Sequence, residues 1–139
     1  MTISKILLPT DGSAFSERAS KLAMELAKAT GAEIVAVHVI EVKPPRLLGA
    51  DAIEKLKAKR AETCFRKAGE DAERAGLRFE KRILVSRSVP GAIVNYIEDE
   101  SPDIVVMGSK GLTGLKRIMM GSVTSAVLEK TTVPVLVVK

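Results

Sequence analysis

Residues 103–124 read D-I-V-V-M-G-S-K-G-L-T-G-L-K-R-I-M-M-G-S-V-T, and this stretch decides the fold that the sequence predicts. It begins with an apolar run typical of a buried strand, and a helix-like segment opens at Ser122. Between them lie four of the ten glycines of the chain, together with three cations and no acid. Glycines, cations and a helix N-terminus favour a phosphate-binding connection, whereas a flexible loop with solvated charges is the alternative.

The rest of the chain repeats the same alternation of apolar runs and helical periodicity. Strands are predicted at residues 3–8, 34–40, 77–85, 103–107 and 133–138, and helices at residues 14–29, 51–75, 88–101 and 122–130. This order indicates a parallel sheet covered by helices on both faces, with the partly alternating third strand at an edge. In such folds ligands bind outside the carboxyl ends of the strands, where the strand order reverses. The glycine stretch falls on that edge.

The size and composition of the chain restrict the classes of protein to which it can belong. A chain of 139 residues with 46% apolar and 28% charged residues is expected to form one domain over residues 1–139. No apolar run approaches the ~20 residues that span a bilayer, so no membrane association is expected. The single Cys64 and the lack of a signal-peptide pattern predict a cytoplasmic protein. The net charge of +5 is mild, and few aromatic residues are present to stack on bases, which argues against a nucleic-acid partner.

Two familiar nucleotide fingerprints are absent: G-x-x-x-x-G-K-[ST] does not occur, and no G-x-G-x-x-G follows the first strand. The chain instead has Gly108, Gly111 and, after nine residues, Gly121-Ser122. The first two glycines would let the backbone turn over a ribose and expose its amides. Gly121 would permit close approach of a ligand, and the amides and hydroxyls of Ser122 and Thr124 would meet phosphates at the positive end of the helix.

Five segments carry a resemblance to a known family: I-L-L-P-T-D-G-S, A-V-H-V, D-I-V-V-M-G-S-K-G, G-S-V-T-S and P-V-L-V-V. With them the chain resembles a universal stress protein of the ATP-binding branch. The resemblance implies a three-layer α/β fold, with an open parallel five-stranded sheet in the order 3-2-1-4-5 and helices on both faces. This is the adenine nucleotide alpha hydrolase-like fold. It also implies binding of ATP or AMP, and homodimers formed through the last strand, Val133 to Val138.

The resemblance further implies a set of nucleotide-binding residues. The first turn should lie near the adenosine, the backbone of the second strand should meet adenine, and the glycine stretch should hold ribose and phosphates. The residues so implied are Pro9, Thr10, Asp11, Val39, Met107, Gly108, Ser109, Gly111, Gly121, Ser122, Val123 and Thr124. Two departures from the family pattern are a short, Pro-rich connection after the second strand and the turn S-R-S-V-P-G after the third.

The function predicted from these residues is a nucleotide-dependent regulatory or stress-response module. Hydrolysis needs a group that orients water, and no general base or other catalytic residue is evident; only Asp11 could assist Mg²⁺. A slow Mg-dependent ATPase, and a dimeric interaction module whose nucleotide is structural, are the alternatives. Three residues also have plain structural interpretations. Asp11 would cap the first helix, His38 would be a hydrogen-bonded core histidine, and Cys64 would pack in the core.

Overall fold

A computed structural model of the protein describes residues 2–110 and 120–139. Strands and helices alternate along the chain as predicted. The elements are β1 (Lys5–Pro9), α1 (Ala14–Thr30), β2 (Glu33–Glu41), α2 (Ala50–Arg74), β3 (Phe79–Ser86), α3 (Val89–Glu100), β4 (Ile104–Gly108), α4 (Ser122–Lys130) and β5 (Val135–Val138). The last strand begins two residues later than predicted. Pro134 has no N–H for the ladder, although its carbonyl still accepts the amide of Val105 over 2.9 Å.

The sheet has five parallel strands in the order β3-β2-β1-β4-β5, which confirms the predicted topology. Ile6 of β1 is in register with Ile34 of β2 on one side and with Ile104 of β4 on the other. The chain moves from β1 to β2 in one direction and from β4 to β5 in the other, so the order reverses between β1 and β4. The carboxyl edge at this pair is therefore the expected ligand crevice.

Two apolar layers cover the two faces of the sheet. Even-numbered residues of β1 and β2, such as Leu8 and Ile34, pack with Ala19 and Ala23 of α1. Odd-numbered residues, such as Val37, pack with residues of α3 and α4. Because successive side chains of a strand alternate between faces, His38 is directed to the α1 and α2 face and Val39 to the opposite face.

The helices begin in two different ways. The side chains of Ser13 and Ser88 cap α1 and α3, accepting the amides of Ser16 and Gly91. By contrast, α2 and α4 begin after a glycine, with no side-chain cap hydrogen bond. The first amides of these two helices consequently receive no acceptor from a capping side chain. Among residues 2–110 and 120–139, no helix is both long and apolar enough to cross a membrane.

Candidate functional site

The predicted binding residues that the structure describes lie along the carboxyl edge of the sheet. Pro9 ends β1, Val39 is near the end of β2, and Gly108 ends β4. Thr10 and Asp11 follow β1, Met107 and Ser109 flank Gly108, and Gly121, Ser122, Val123 and Thr124 form the start of α4. Gly111 lies outside the described residues, as do the cations Lys116 and Arg117. The turn after β1 and the segment after β4 thus border the crevice where the strand order reverses.

The turn after β1 is shaped by its own polar groups. The amide of Thr10 donates to the carbonyl of Val37 over 2.9 Å, which continues the ladder past the end of β1. The Oδ1 atom of Asp11 accepts the amide of Ser13 over 2.9 Å, and Gly12 takes a φ of 82°. The residue that caps α1 is Ser13, so the interpretation of Asp11 as the cap is wrong. Asp11 instead orders the turn that leads into the cap.

Gly108 is required by packing between β4 and α1. A Cβ atom at this position would lie 2.8 Å from the backbone carbonyl carbon and the Cβ of Phe15, and 3.0 Å from the Phe15 oxygen. Only a residue without a side chain allows the end of β4 to come this close to the first turn of α1. Sequence reasoning assigned this glycine to the ribose and missed the packing role, because nothing local marks Phe15 as its neighbour.

Two hydrogen bonds fix the start of α4 to the end of β4. The amide of Gly121 donates to the carbonyl of Ser109 over 2.9 Å, and the hydroxyl of Thr124 donates to the carbonyl of Gly108 over 2.8 Å. Thr124 is buried and its hydroxyl hydrogen is used in this bond, so its predicted phosphate contact rests on its backbone amide. The first turn of α4 is held at the crevice without a capping side chain, and such an end attracts anions.

Lys110, the first cation of the glycine stretch, is not a solvated loop charge. Its side chain is buried, with 8% of its surface exposed, and its Nζ atom lies 6.0 Å from the centre of the Phe15 ring. Arg18 approaches the same ring to 4.7 Å. Both distances are within the range of cation–π attraction. Positive charge is therefore held beside the end of β4.

His38 connects the first turn to helix α2. Its Nδ1 atom lies 2.9 Å from the carbonyl oxygen of Thr10, and its Nε2 atom lies 2.7 Å from Nη1 of Arg60. Burial, and then the nearby Arg60 cation, hold the pKa of His38 below its ordinary value, so the ring is neutral near pH 7. The interpretation of His38 as a hydrogen-bonded histidine is confirmed. Sequence reasoning did not find Arg60, which belongs to no motif.

Cys64 lies beside the same histidine on α2. Its Sγ atom is 3.7 Å from Nδ1 of His38 and lies 3.7 Å from the position that a Cβ on Gly12 would occupy. Burial raises the pKa of the Cys64 thiol, so the unreactive thiol form is favoured. Cys64 is partly buried and packs between α2 and the first turn, rather than in either apolar layer of the core as predicted.

A metal centre is not evident in residues 2–110 and 120–139. Three or more His, Cys, Asp or Glu side chains do not come together there in a way that would hold an ion. The suggested help of Asp11 to Mg²⁺ therefore stays a prediction and concerns an ion brought by a nucleotide.

The profile of the universal stress protein family matches residues 2–139 of the chain. Universal stress protein MJ0531 of Methanocaldococcus jannaschii is 38% identical over 140 residues, which cover 97% of this chain and 81% of that protein.

Solved structures have the same fold. Hypothetical protein MJ0577, from the same organism, superposes with a TM-score of 0.85 at 33% identity, covering 100% of this chain and 97% of that one. A universal stress protein from Archaeoglobus fulgidus, solved in complex with dAMP, has a TM-score of 0.73 at 26% identity, with both chains covered completely.

Proposed function

This chain belongs to the universal stress protein family, and we propose that it is a nucleotide-dependent regulatory module whose single domain, residues 1–139, binds ATP or AMP. One observation carries the proposal. The start of α4, which has no side-chain cap, is fixed to the end of β4 by two hydrogen bonds and borders the crevice opposite the turn after β1. A helix end held in this way is a binding site for a phosphate group.

The proposed ligand extends along the carboxyl edge. Its adenine lies against the backbone of Val39 and the turn at residues 9–11, and its ribose and first phosphate lie along residues 107–111. Its remaining phosphates meet the amides of residues 121–124. The related protein from Archaeoglobus fulgidus was solved with dAMP, which has the adenine, the sugar and the first phosphate of this arrangement. The buried charge of Lys110 adds attraction for an anion at the middle of the edge.

Binding is favoured over turnover by the position of the one histidine in the chain. Phosphoryl transfer to water needs a side chain that orients the attacking water. His38 is a side chain that could act as a base at the carboxyl edge, but the carbonyl of Thr10 and the guanidinium of Arg60 occupy its two ring nitrogens. A slow Mg-dependent ATPase, with Asp11 assisting Mg²⁺, remains the second candidate.

We also propose that two copies associate through β5 and the residues before it, from Val133 to Val138, and that the protein acts in the cytoplasm. β5 is an edge strand, and its Leu136 is 37% exposed, which suits an apolar contact between copies. Cys64 is free, as is usual in a reducing compartment. If nucleotide binding proves dispensable for capture of a partner, the protein is an interaction module and the nucleotide is structural.

The test removes one amide from the start of α4 without disturbing the helix. Ser122 is the first helical residue, a position that accepts proline, and Gly121 has the extended φ of −67° and ψ of 160° that a residue before proline prefers. Ser122→Pro removes the amide and the hydroxyl, whereas Ser122→Ala removes the hydroxyl alone. Ala50→Pro makes the same change at α2, the other glycine-capped helix, and is the matched control.

Affinities for ATP and AMP, with and without Mg²⁺, are measured by calorimetry. A hydrogen bond to a charged oxygen contributes about 1.5–3 kcal/mol, so Ser122→Pro should weaken ATP binding roughly 10- to 150-fold, whereas AMP, whose single phosphate lies along residues 107–111, should be affected less. Ala50→Pro should bind like the wild type. Absence of nucleotide binding by the wild-type protein, or equal ATP affinity of Ser122→Pro, would refute the proposed site. Phosphate release from ATP that Ser122→Pro reduces would favour the ATPase.

A further inference from the structure

We propose that Arg60 is a positioning residue of the nucleotide site, which holds the neutral ring of His38 in place and thereby fixes the orientation of the Thr10–Asp11 peptide. This inference rests on the proposed function, since it concerns the same carboxyl edge. It assigns a role to a helix, α2, from which no binding residue is predicted.

The first step is the tautomer of His38. A guanidinium has only N–H donors, so the Nε2 atom that lies 2.7 Å from Nη1 of Arg60 must be an acceptor. A neutral ring with an unprotonated Nε2 carries its hydrogen on Nδ1. That hydrogen is then donated to the carbonyl oxygen of Thr10, 2.9 Å away. The Thr10 carbonyl, which can only accept, requires the same tautomer, so the two contacts together hold the His38 ring between α2 and the first turn.

The second step is the direction of the peptide after Thr10. The C=O and N–H groups of a trans peptide point in opposite directions. With the Thr10 carbonyl held by the ring of His38, on the α1 and α2 face of the sheet, the N–H of Asp11 is directed away from that ring. The bond from His38 therefore orients a backbone donor of the predicted adenosine-binding turn.

The third step is the sensitivity of this arrangement to protons. A proton on Nε2 would set two N–H donors and two positive charges against each other at the Arg60 contact. The charged and titratable neighbours of His38 are Arg60 and Cys64 on α2 and Asp11 in the turn after β1. From β3, its register partner is the apolar Ile83. Asp11 favours the protonated ring, but burial and Arg60 oppose it, and they lower the pKa overall. Acid is thus expected to break the contact and weaken nucleotide binding.

Helix α2 is close enough to transmit such a change. The carbonyl oxygen of Thr63 and the Sγ atom of Cys64 each lie 3.7 Å from where a Cβ on Gly12 would be. One turn of α2 therefore supports both His38 and the turn that follows Thr10, and a displaced Arg60 would disturb both.

The test uses Arg60→Met, the conservative Arg60→Lys, and Arg66→Met as a matched control. Arg66 is on the same helix, is exposed, and pairs with Glu62. Because the chain has one histidine, its ring nitrogens give a single set of NMR signals, and these report the tautomer and its titration directly. ATP affinity of each variant is measured by calorimetry between about pH 8 and pH 5, the range in which histidine titrates.

The wild type and Arg66→Met should show the Nδ1–H tautomer and should lose ATP affinity as the pH falls. Arg60→Met should keep the Nδ1–H tautomer that the Thr10 carbonyl requires, bind ATP roughly 2- to 10-fold more weakly near pH 8, and have its histidine titrate at a higher pH. Arg60→Lys should restore part of the affinity, because a lysine can still donate to Nε2. A purely structural role of Arg60 would lower stability without changing the ATP affinity of the folded protein or its dependence on pH.

The two proposals fail in different ways. Normal ATP binding, with an affinity and a pH dependence that do not change in Arg60→Met, would overturn the role of Arg60 alone. Equal losses in Arg60→Met and Arg66→Met would do the same. If the wild type binds no adenine nucleotide at any pH, the proposed function is wrong, and the role of Arg60 in binding is overturned with it.

Discussion

Replacement of Gly108 by alanine tests how the two sides of the proposed site, the turn after β1 and the start of α4, are joined. The added Cβ would lie 2.8 Å from the carbonyl carbon and the Cβ of Phe15, a distance that real Cβ atoms essentially never show. Two of the three nearest atoms belong to the backbone of the first turn of α1, so no side-chain rotation relieves the overlap. Either the end of β4 or the first turn of α1 must move.

The cost follows from that geometry. Overpacking of a well-packed site typically costs about 1–3 kcal/mol, and we expect Gly108→Ala at the upper end because the overlapping atoms are backbone. For a chain of this length, such a loss lowers the melting temperature by roughly 3–5 °C per kcal/mol. Urea denaturation followed by circular dichroism gives the free energy of unfolding.

Two further glycines are the controls. Gly49 has nothing within 4 Å of a Cβ and an ordinary φ of −75°, so Gly49→Ala meets no overlap and should cost only the exchange of a preferred N-cap residue for alanine, about 0.5–1 kcal/mol. Gly31 is equally open but has a φ of 76°, so Gly31→Ala should pay only the strain of about 1–2 kcal/mol. If the free energy of unfolding of Gly108→Ala is within about 0.5 kcal/mol of the wild-type value, the packing explanation is refuted.

Affinity for ATP should fall in Gly108→Ala even where the protein remains folded. The carbonyl of Gly108 accepts the hydroxyl of Thr124, and Phe15 lies two residues after the Ser13 cap that ends the turn after β1. One methyl group therefore displaces either the start of α4 or the first turn. If the folded variant binds ATP as tightly as the wild type, nucleotide binding does not depend on the contact between Gly108 and Phe15.

The remaining predictions concern other parts of the sheet. The carboxylate of Asp103 accepts the amide and the hydroxyl of Ser4 and the amide of Lys5. These bonds, of which the Ser4 amide has the largest effect, hold the pKa of the Asp103 carboxyl below its ordinary value. The stability that this contributes is complete above the ordinary pKa and is lost as the pH falls through the lowered one. Asp103→Asn should therefore flatten the acid limb of urea midpoints plotted against pH, and an unchanged limb would exclude Asp103 as a cause. Leu136→Arg on β5 should convert dimers to monomers, which light scattering detects. Val85→Arg, at the opposite edge of the sheet and similarly exposed, should leave the dimers intact. Dimers that survive Leu136→Arg would contradict the β5 interface.

The sequence predicted the alternation of elements well, because it depends on local signals. Apolar runs such as residues 34–40 and the spacing of residues along α1 report burial within a few neighbours. The starts of β1, β3 and β5 were each predicted two residues too early, and at β5 the missing N–H of Pro134 gives the reason. The order 3-2-1-4-5 came from the resemblance to a family and not from periodicity.

What could not be predicted depends on residues that are distant in the chain. The contact of Gly108 with Phe15 and the bond between Arg60 and His38 join different elements, and no spacing rule connects them. One of the three arginines of the long charged helix α2 resembles its solvated neighbours until the fold brings it to a buried histidine. The chemical roles of such residues are set by tertiary contacts, which local patterns do not encode.

The glycine stretch can now be understood as a segment with two fixed ends. At its start, Gly108 permits the contact with α1 and gives its carbonyl to Thr124; at its finish, Gly121 donates its amide to Ser109. These bonds hold the start of α4 beside the end of β4. The start of α4, which we propose to bind phosphate, is therefore kept at the crevice between β1 and β4.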